Sequence, residues 1–181
     1  MDRNHSEKFR IGGAARNMFR GMLLALVAVA ASGMASAQTG GPLQFKGGIG
    51  VITVTGVAAN GTVNLNTVRG VPPASPWRIA ALNAEVGFNG HIQVVGRGLL
   101  LANGNGIGTN AGQRVHATLF CGPAATATAH STNSAGVPLA VDGDFRIDDY
   151  LSPAPPATCD NPVLLIRNVG GVWFAAGIPK Q

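Results

Sequence analysis

The sequence predicts an all-β fold: a single antiparallel β-sandwich, immunoglobulin-like or jelly-roll-like, of about eight to ten short strands with one disulfide. Three observations predict it. Several short runs alternate apolar and polar residues with period two. Turn-forming Asn-Gly, Asp-Gly and Gly-Gly pairs separate those runs. Two cysteines, Cys121 and Cys159, allow one disulfide.

Residues 62–68 place Val63 and Leu65 on one face and Asn64 and Asn66 on the other. The β-rich run 51–55 lies upstream and Asn60-Gly61 sits between, so 51–68 is predicted to be a hairpin whose turn takes two positive φ angles. Ser75-Pro76-Trp77 offers a helix cap, with Trp77, Ala80, Ala81 and Ala84 at helical spacing. A strand ending near Val86 is preferred there, because Asn89-Gly90 needs a partner for His91-Ile92-Gln93-Val94-Val95. Gly96-Arg97-Gly98 then marks a bulge or bend before Leu99-Leu100-Leu101.

Further on, 114–121 alternates, pointing Val115, Ala117, Leu119 and Cys121 inward and Arg114, His116 and Thr118 outward. A short Thr/Ala strand over 125–130 follows, and Asp142-Gly143 turns the chain into Phe145-Arg146-Ile147. Val163-Leu164-Leu165-Ile166 is apolar on both faces, the signature of a central strand. Gly170-Gly171 leads from it into Val172-Trp173-Phe174-Ala175.

The N-terminal 37 residues have the three parts of a cleaved signal peptide. A basic stretch ends at Arg20, an uncharged apolar run covers 22–31, and Ala35-Ser36-Ala37 suits a signal peptidase. Ten apolar residues are too few for a membrane span, which needs about 20. Met18 offers a second start with a tidier leader. The expected organisation is therefore signal peptide 1–37, a flexible Gly-rich lead-in 38–48 and a β-sandwich domain 49–181, with the protein exported to the periplasm or the medium.

Composition excludes some classes. Hydrophobic residues make up 46% and charged ones only 12%, which rules out disorder by charge repulsion. Five of the 13 basic and two of the eight acidic residues fall in the leader, so the +5 of the whole chain drops to +2 after it. The eight remaining cations are scattered singly, whereas phosphate backbones need a dense basic surface, so nucleic acid is not an expected partner. No transmembrane segment is expected after cleavage.

Cys121 and Cys159 lie beyond the leader, and an even count in an oxidising compartment reads as one disulfide. Pro76-Trp77, the glycine-punctuated strand at 96–101, Phe120-Cys121, Cys159 ahead of Asn161-Pro162-Val163, and the closing Gly171-Val172-Trp173-Phe174-Ala175-Ala176 resemble small exported bacterial all-β proteins. The resemblance covers most of residues 50–178. It implies the β fold and export, and it carries neither an activity nor a site residue.

Chemistry-bearing residues are few. His91, His116 and His130 are each expected at outward, solvated positions, with no His-x-His pair to mark a metal site. They remain metal candidates should their strands converge. Asp142, Asp144, Asp148 and Asp149 supply four of the six carboxylates beyond the leader and are the candidates for a hard cation such as Ca²⁺, although the EF-hand spacing is missing. Gly104-Asn105-Gly106-Ile107-Gly108 lacks the following helix that a phosphate-cradling loop needs. No Gly-x-Ser-x-Gly elbow occurs, and no catalytic residue and no cofactor are assigned. The expected function is a non-catalytic binding or structural module with an envelope or protein partner. The alternative is a small exported metal-binding protein or hydrolase built on the His and Asp candidates.

Overall fold

The computed structural model describes residues 42–52, 56–57, 63–64 and 66–180. Thirteen strands are formed among them: β1 (Leu43–Gly50), β2 (Gly56–Val57), β3 (Val63–Asn64), β4 (Trp77–Arg78), β5 (Ala81–Val86), β6 (His91–Arg97), β7 (Leu100–Leu101), β8 (Arg114–Cys121), β9 (Thr128–Ser131), β10 (Val137–Pro138), β11 (Phe145–Tyr150), β12 (Val163–Asn168) and β13 (Trp173–Pro179). The protein is all-β, and every ladder between named strands is antiparallel.

One continuous sheet runs β10-β8-β12-β13-β1-β5-β6-β11, and β9 also pairs with β8. The sheet curls until its two ends meet. Ser131, at the end of β9, exchanges backbone hydrogen bonds of 3.0 and 2.8 Å with Ser152, just past β11, and the Ala140 amide donates to the Asp144 carbonyl at 2.9 Å. Near-closure leaves few unpaired edges for another chain to join.

The inside of the curl is the main core. Phe45, Leu82, Ile92, Val94, Val115, Leu119, Leu164 and Ile166 fill it, and Trp77 stacks on Phe174 with ring centroids 4.1 Å apart and planes 11° from parallel. Cys121 ends β8 inside this core and is disulfide-bonded to Cys159, 38 residues later.

A second apolar cluster lies on the outer side of β8, β12 and β13: Val51, Val71, Phe120, Leu165 and Trp173. The segment 66–74 covers that side. Trp173 exchanges backbone bonds with this segment, its amide donating to Pro72 at 3.1 Å and its carbonyl accepting from Ala74 at 3.0 Å, while its indole N–H donates to the Asn66 carbonyl at 3.0 Å. β8 and β12 are consequently buried on both faces, as the doubly apolar run 163–166 predicts.

The predicted strand ending near Val86 is found as Ala81–Val86, and those at 91–95, 114–121, 145–147, 163–166 and 172–175 are found too, the last extended to Pro179. β2 and β3 pair as the 51–68 hairpin requires, whereas Asn60-Gly61 and Leu65 lie outside the described residues. So does the leader 1–37. Three expectations change.

The lead-in 38–48 is not a loop where it is described, because Leu43–Gly50 forms β1 between β13 and β5. Its glycines serve a bulge: the register with β13 shifts between Phe45 and Gly48, and Gly47 takes a φ of 95°. The Asn89-Gly90 turn has one positive φ, at Gly90, rather than two, with the Gly87 amide bonded to the His91 carbonyl at 2.9 Å. That is a type I turn closed by a left-handed glycine, an alternative solution to the same hairpin problem. The Thr/Ala strand begins at Thr128, because 123–126 is a turn closed by a 3.1 Å bond from the Thr126 amide to the Pro123 carbonyl.

Candidate functional site

Among the described residues, no second layer covers the outer side of β1, β5, β6 and β11. Burial there alternates residue by residue along β5, β6 and the start of β11: the inward positions are buried and the outward ones exposed. Strand register sets the outward side chains in rows. One row runs Gln44, Glu85, Gln93, Asp148, and the next runs Lys46, Asn83, Val95, Arg146. His91 and Tyr150 are paired at one end, their rings 5.0 Å apart, and Arg97 lies opposite Ala81 at the other. Neighbouring strands are about 4.8 Å apart, so a row of four spans about 14 Å.

Asp148 is the hub of this face. Its carboxylate accepts from His91 Nε2 at 2.7 Å, from Gln93 Nε2 at 3.3 Å and from an Arg146 guanidinium nitrogen at 3.3 Å. These bonds, the one from His91 above all, hold its carboxyl below the usual carboxylate range. Beside the hub, a shallow depression of about 360 Å³ is lined by Gln44, Lys46, Asn83, Glu85, Gln93, Val95 and Lys180. It offers amide donors and acceptors, a carboxylate and two ammonium groups in one open trough, with Val95 exposed beside the buried Phe45 and Ala84.

The seven metal candidates are not gathered in one place. Among the described residues, no group of three or more His, Cys, Asp or Glu side chains is placed to hold a metal ion. Most of the candidates serve the fold. Asp142 accepts from the Asp144 amide at 3.0 Å, and Asp144 from the Gly98 amide at 3.0 Å. Asp149 accepts from the amides of Asn133 and Tyr150, at 2.9 and 2.8 Å. Those carboxylates therefore stitch turns to strands. Asp148 and His91 alone lie on the open face.

His116 and His130 overturn the expectation of solvated positions, being only 5% and 4% exposed. His116 is an outward residue of β8, in the part of the sheet that is buried on both faces, whereas His130 lies opposite Leu119 in the β8–β9 register and so faces the core side. His130 is bonded at both ring nitrogens: Nδ1 donates to the Pro153 carbonyl at 2.8 Å, and Nε2 meets the Thr128 hydroxyl at 3.1 Å. His116 lies opposite Arg167 on β12, and its Nδ1 is buried without a hydrogen-bond partner. Burial, reinforced by the nearby guanidinium, lowers its pKa and keeps it neutral near pH 7. Arg167 is itself occupied, with two of its nitrogens donating to the Gly171 carbonyl at 3.1 and 2.8 Å.

The glycine loop at 104–108 is a tight connection. Gly108 donates to the Leu101 carbonyl at 2.8 Å, Thr109 to Gly106 at 3.1 Å, and no helix follows. No helix among the described residues is long and apolar enough to cross a membrane.

The residues of the open face that sequence reasoning passed over are Gln44, Lys46, Asn83, Glu85 and Gln93. Their signal was their place as the polar halves of alternating strands. Compared with protein families, curated proteins and solved structures, the chain matches none.

Proposed function

We propose that the protein is an exported, non-catalytic binding module of the bacterial envelope or secretome, which presents the outer face of β1, β5, β6 and β11 to its partner. One observation carries this reading. The outer side of β8, β12 and β13 is sealed by a second apolar layer, whereas that of β1, β5, β6 and β11 is open, polar and ordered in register. A surface with amides, carboxylates and cations held on rigid strands is suited to recognition. Export is supported by the leader ending Ala35-Ser36-Ala37 and by the Cys121–Cys159 disulfide, a bond favoured in oxidising compartments.

The test is chemical-shift mapping of the isotope-labelled protein against separate polysaccharide, lipid and protein fractions of the producing cell's envelope. At least one fraction is expected to shift amides at 44–46, 83–85, 93–97 and 146–148, leaving 116–120 and 165–173 unmoved. Shifts confined to other surfaces, or none with any fraction, would overturn the reading.

A further inference from the structure

We propose that the ligand of the open face is an acidic polysaccharide, its carboxylates paired with Lys46, Lys180, Arg97 and Arg146 and its hydroxyls with the amides between them; this rests on the reading of that face as the binding surface. The charge of the open face favours an anion. Residues 42–180 carry eight cations and six carboxylates. Four of those cations (Lys46, Arg97, Arg146, Lys180) and two of the carboxylates (Glu85, Asp148) lie on the open face. The remaining four cations and four carboxylates cancel, so the whole net charge of +2 is concentrated there. Among the described residues only Arg146 of the four cations is in an ion pair, with Asp148 at 3.3 Å, so Lys46, Lys180 and Arg97 are open to an anion.

The spacing of the cations favours widely separated anions. The cations stand at the margins, Lys46 and Lys180 on the β1 side and Arg146 on the β11 side, about 14 Å apart across the strands. Phosphates follow one another far more closely along nucleic acid, and the aromatic residue lining the trough, Phe45, is buried and offers bases no exposed platform. Between the cations lie Gln44, Asn83 and Gln93, each of which both donates and accepts, as ring hydroxyls require. Spaced anions joined by hydroxyl-rich units match that pattern. A lipid surface would need exposed apolar side chains to insert, and of the three that line the trough, Phe45, Ala84 and Val95, the first two are buried.

The experiment is affinity electrophoresis of the purified protein in native gels cast with polygalacturonate, with neutral dextran as control, and parallel shift assays with duplex DNA and anionic phosphatidylglycerol vesicles. Retardation by polygalacturonate alone is expected, and it should weaken as salt rises. The double variant Lys46→Ala/Lys180→Ala should bind at least about tenfold more weakly, having lost two charge-assisted contacts. Arg78→Ala, which removes an exposed cation on β4, should bind as the wild type does. Equal retardation by dextran, an unchanged affinity in the double variant, or binding to DNA or vesicles in place of polygalacturonate would overturn the proposal. If polygalacturonate fails while another envelope fraction shifts the amides of the open face, the ligand class is wrong and the binding face stands. If no fraction shifts them, both fail.

Discussion

Replacing Trp77 by Ala should lower stability by about 3–5 kcal/mol, the range for emptying a large aromatic site in a core. The residue is buried inside the curl, and its ring is stacked on Phe174. Little can collapse into the gap, because the neighbouring backbone is already in contact: a Cβ on Gly50 would overlap the Trp77 carbonyl. The loss is a large share of the roughly 5–15 kcal/mol that holds a domain together. Urea unfolding followed by circular dichroism should show the midpoint falling sharply with the slope retained. Trp77→Phe keeps a ring for Phe174 and should lose less than half as much. Phe88→Ala, at an exposed turn position, should stay within about 0.5 kcal/mol of wild type. A Trp77→Ala protein as stable as the Phe88→Ala one would contradict this packing.

Opening the disulfide should cost about 2–4 kcal/mol. The bridge closes a long loop, with 38 positions separating its cysteines, and constrains the unfolded chain by roughly 4 kcal/mol as an upper figure in the chain-entropy view. It also ties the 151–162 connection to the end of β8, where the Cys159 carbonyl's neighbour Asp160 accepts a hydrogen bond from the Gly122 amide. The wild type should lose stability when reductant is added. Cys121→Ala/Cys159→Ala should begin at the lower midpoint and ignore reductant. A wild type whose midpoint does not move, with both thiols shown to be free, would contradict the role given to the bridge.

Much of this fold was legible in the sequence, because the strands that alternate and the strands that do not are different kinds of strand. Residues 81–86 and 91–95 alternate and have one wet face, whereas 163–166 is apolar throughout and is covered twice. Glycine concealed β1. Gly47 and Gly48 interrupt a pattern that otherwise holds Phe45 inward between Gln44 and Lys46, and a bulge reads like a loop when only composition is seen.

His130 was hidden by register, which sets it opposite Leu119 on the core side, and the burial of His116 for a different reason. The layer that seals β8 and β12 includes 66–74, whose Val68, Val71, Pro72 and Pro73 have no strand period, so nothing local marks it as a cover. The open face was only half legible. Each strand announces its outward residues, but Gln44, Glu85, Gln93 and Asp148 come from four strands across 105 positions of chain, and register alone puts them in a row. The motifs that drew attention first, the aspartates of 142–149, turned out mostly to be hydrogen-bond acceptors for turns.

Hydroxyl-radical footprinting of the native protein, read by mass spectrometry, tests most directly the division of the outer surface into a sealed half and an open one. Tyr150 and Val95 on the open face should be modified rapidly, while Phe120, Leu165 and Trp173 beneath the 66–74 cover should stay protected until the protein is unfolded. Modification of Trp173 and Phe120 at the rate of Tyr150 would contradict it.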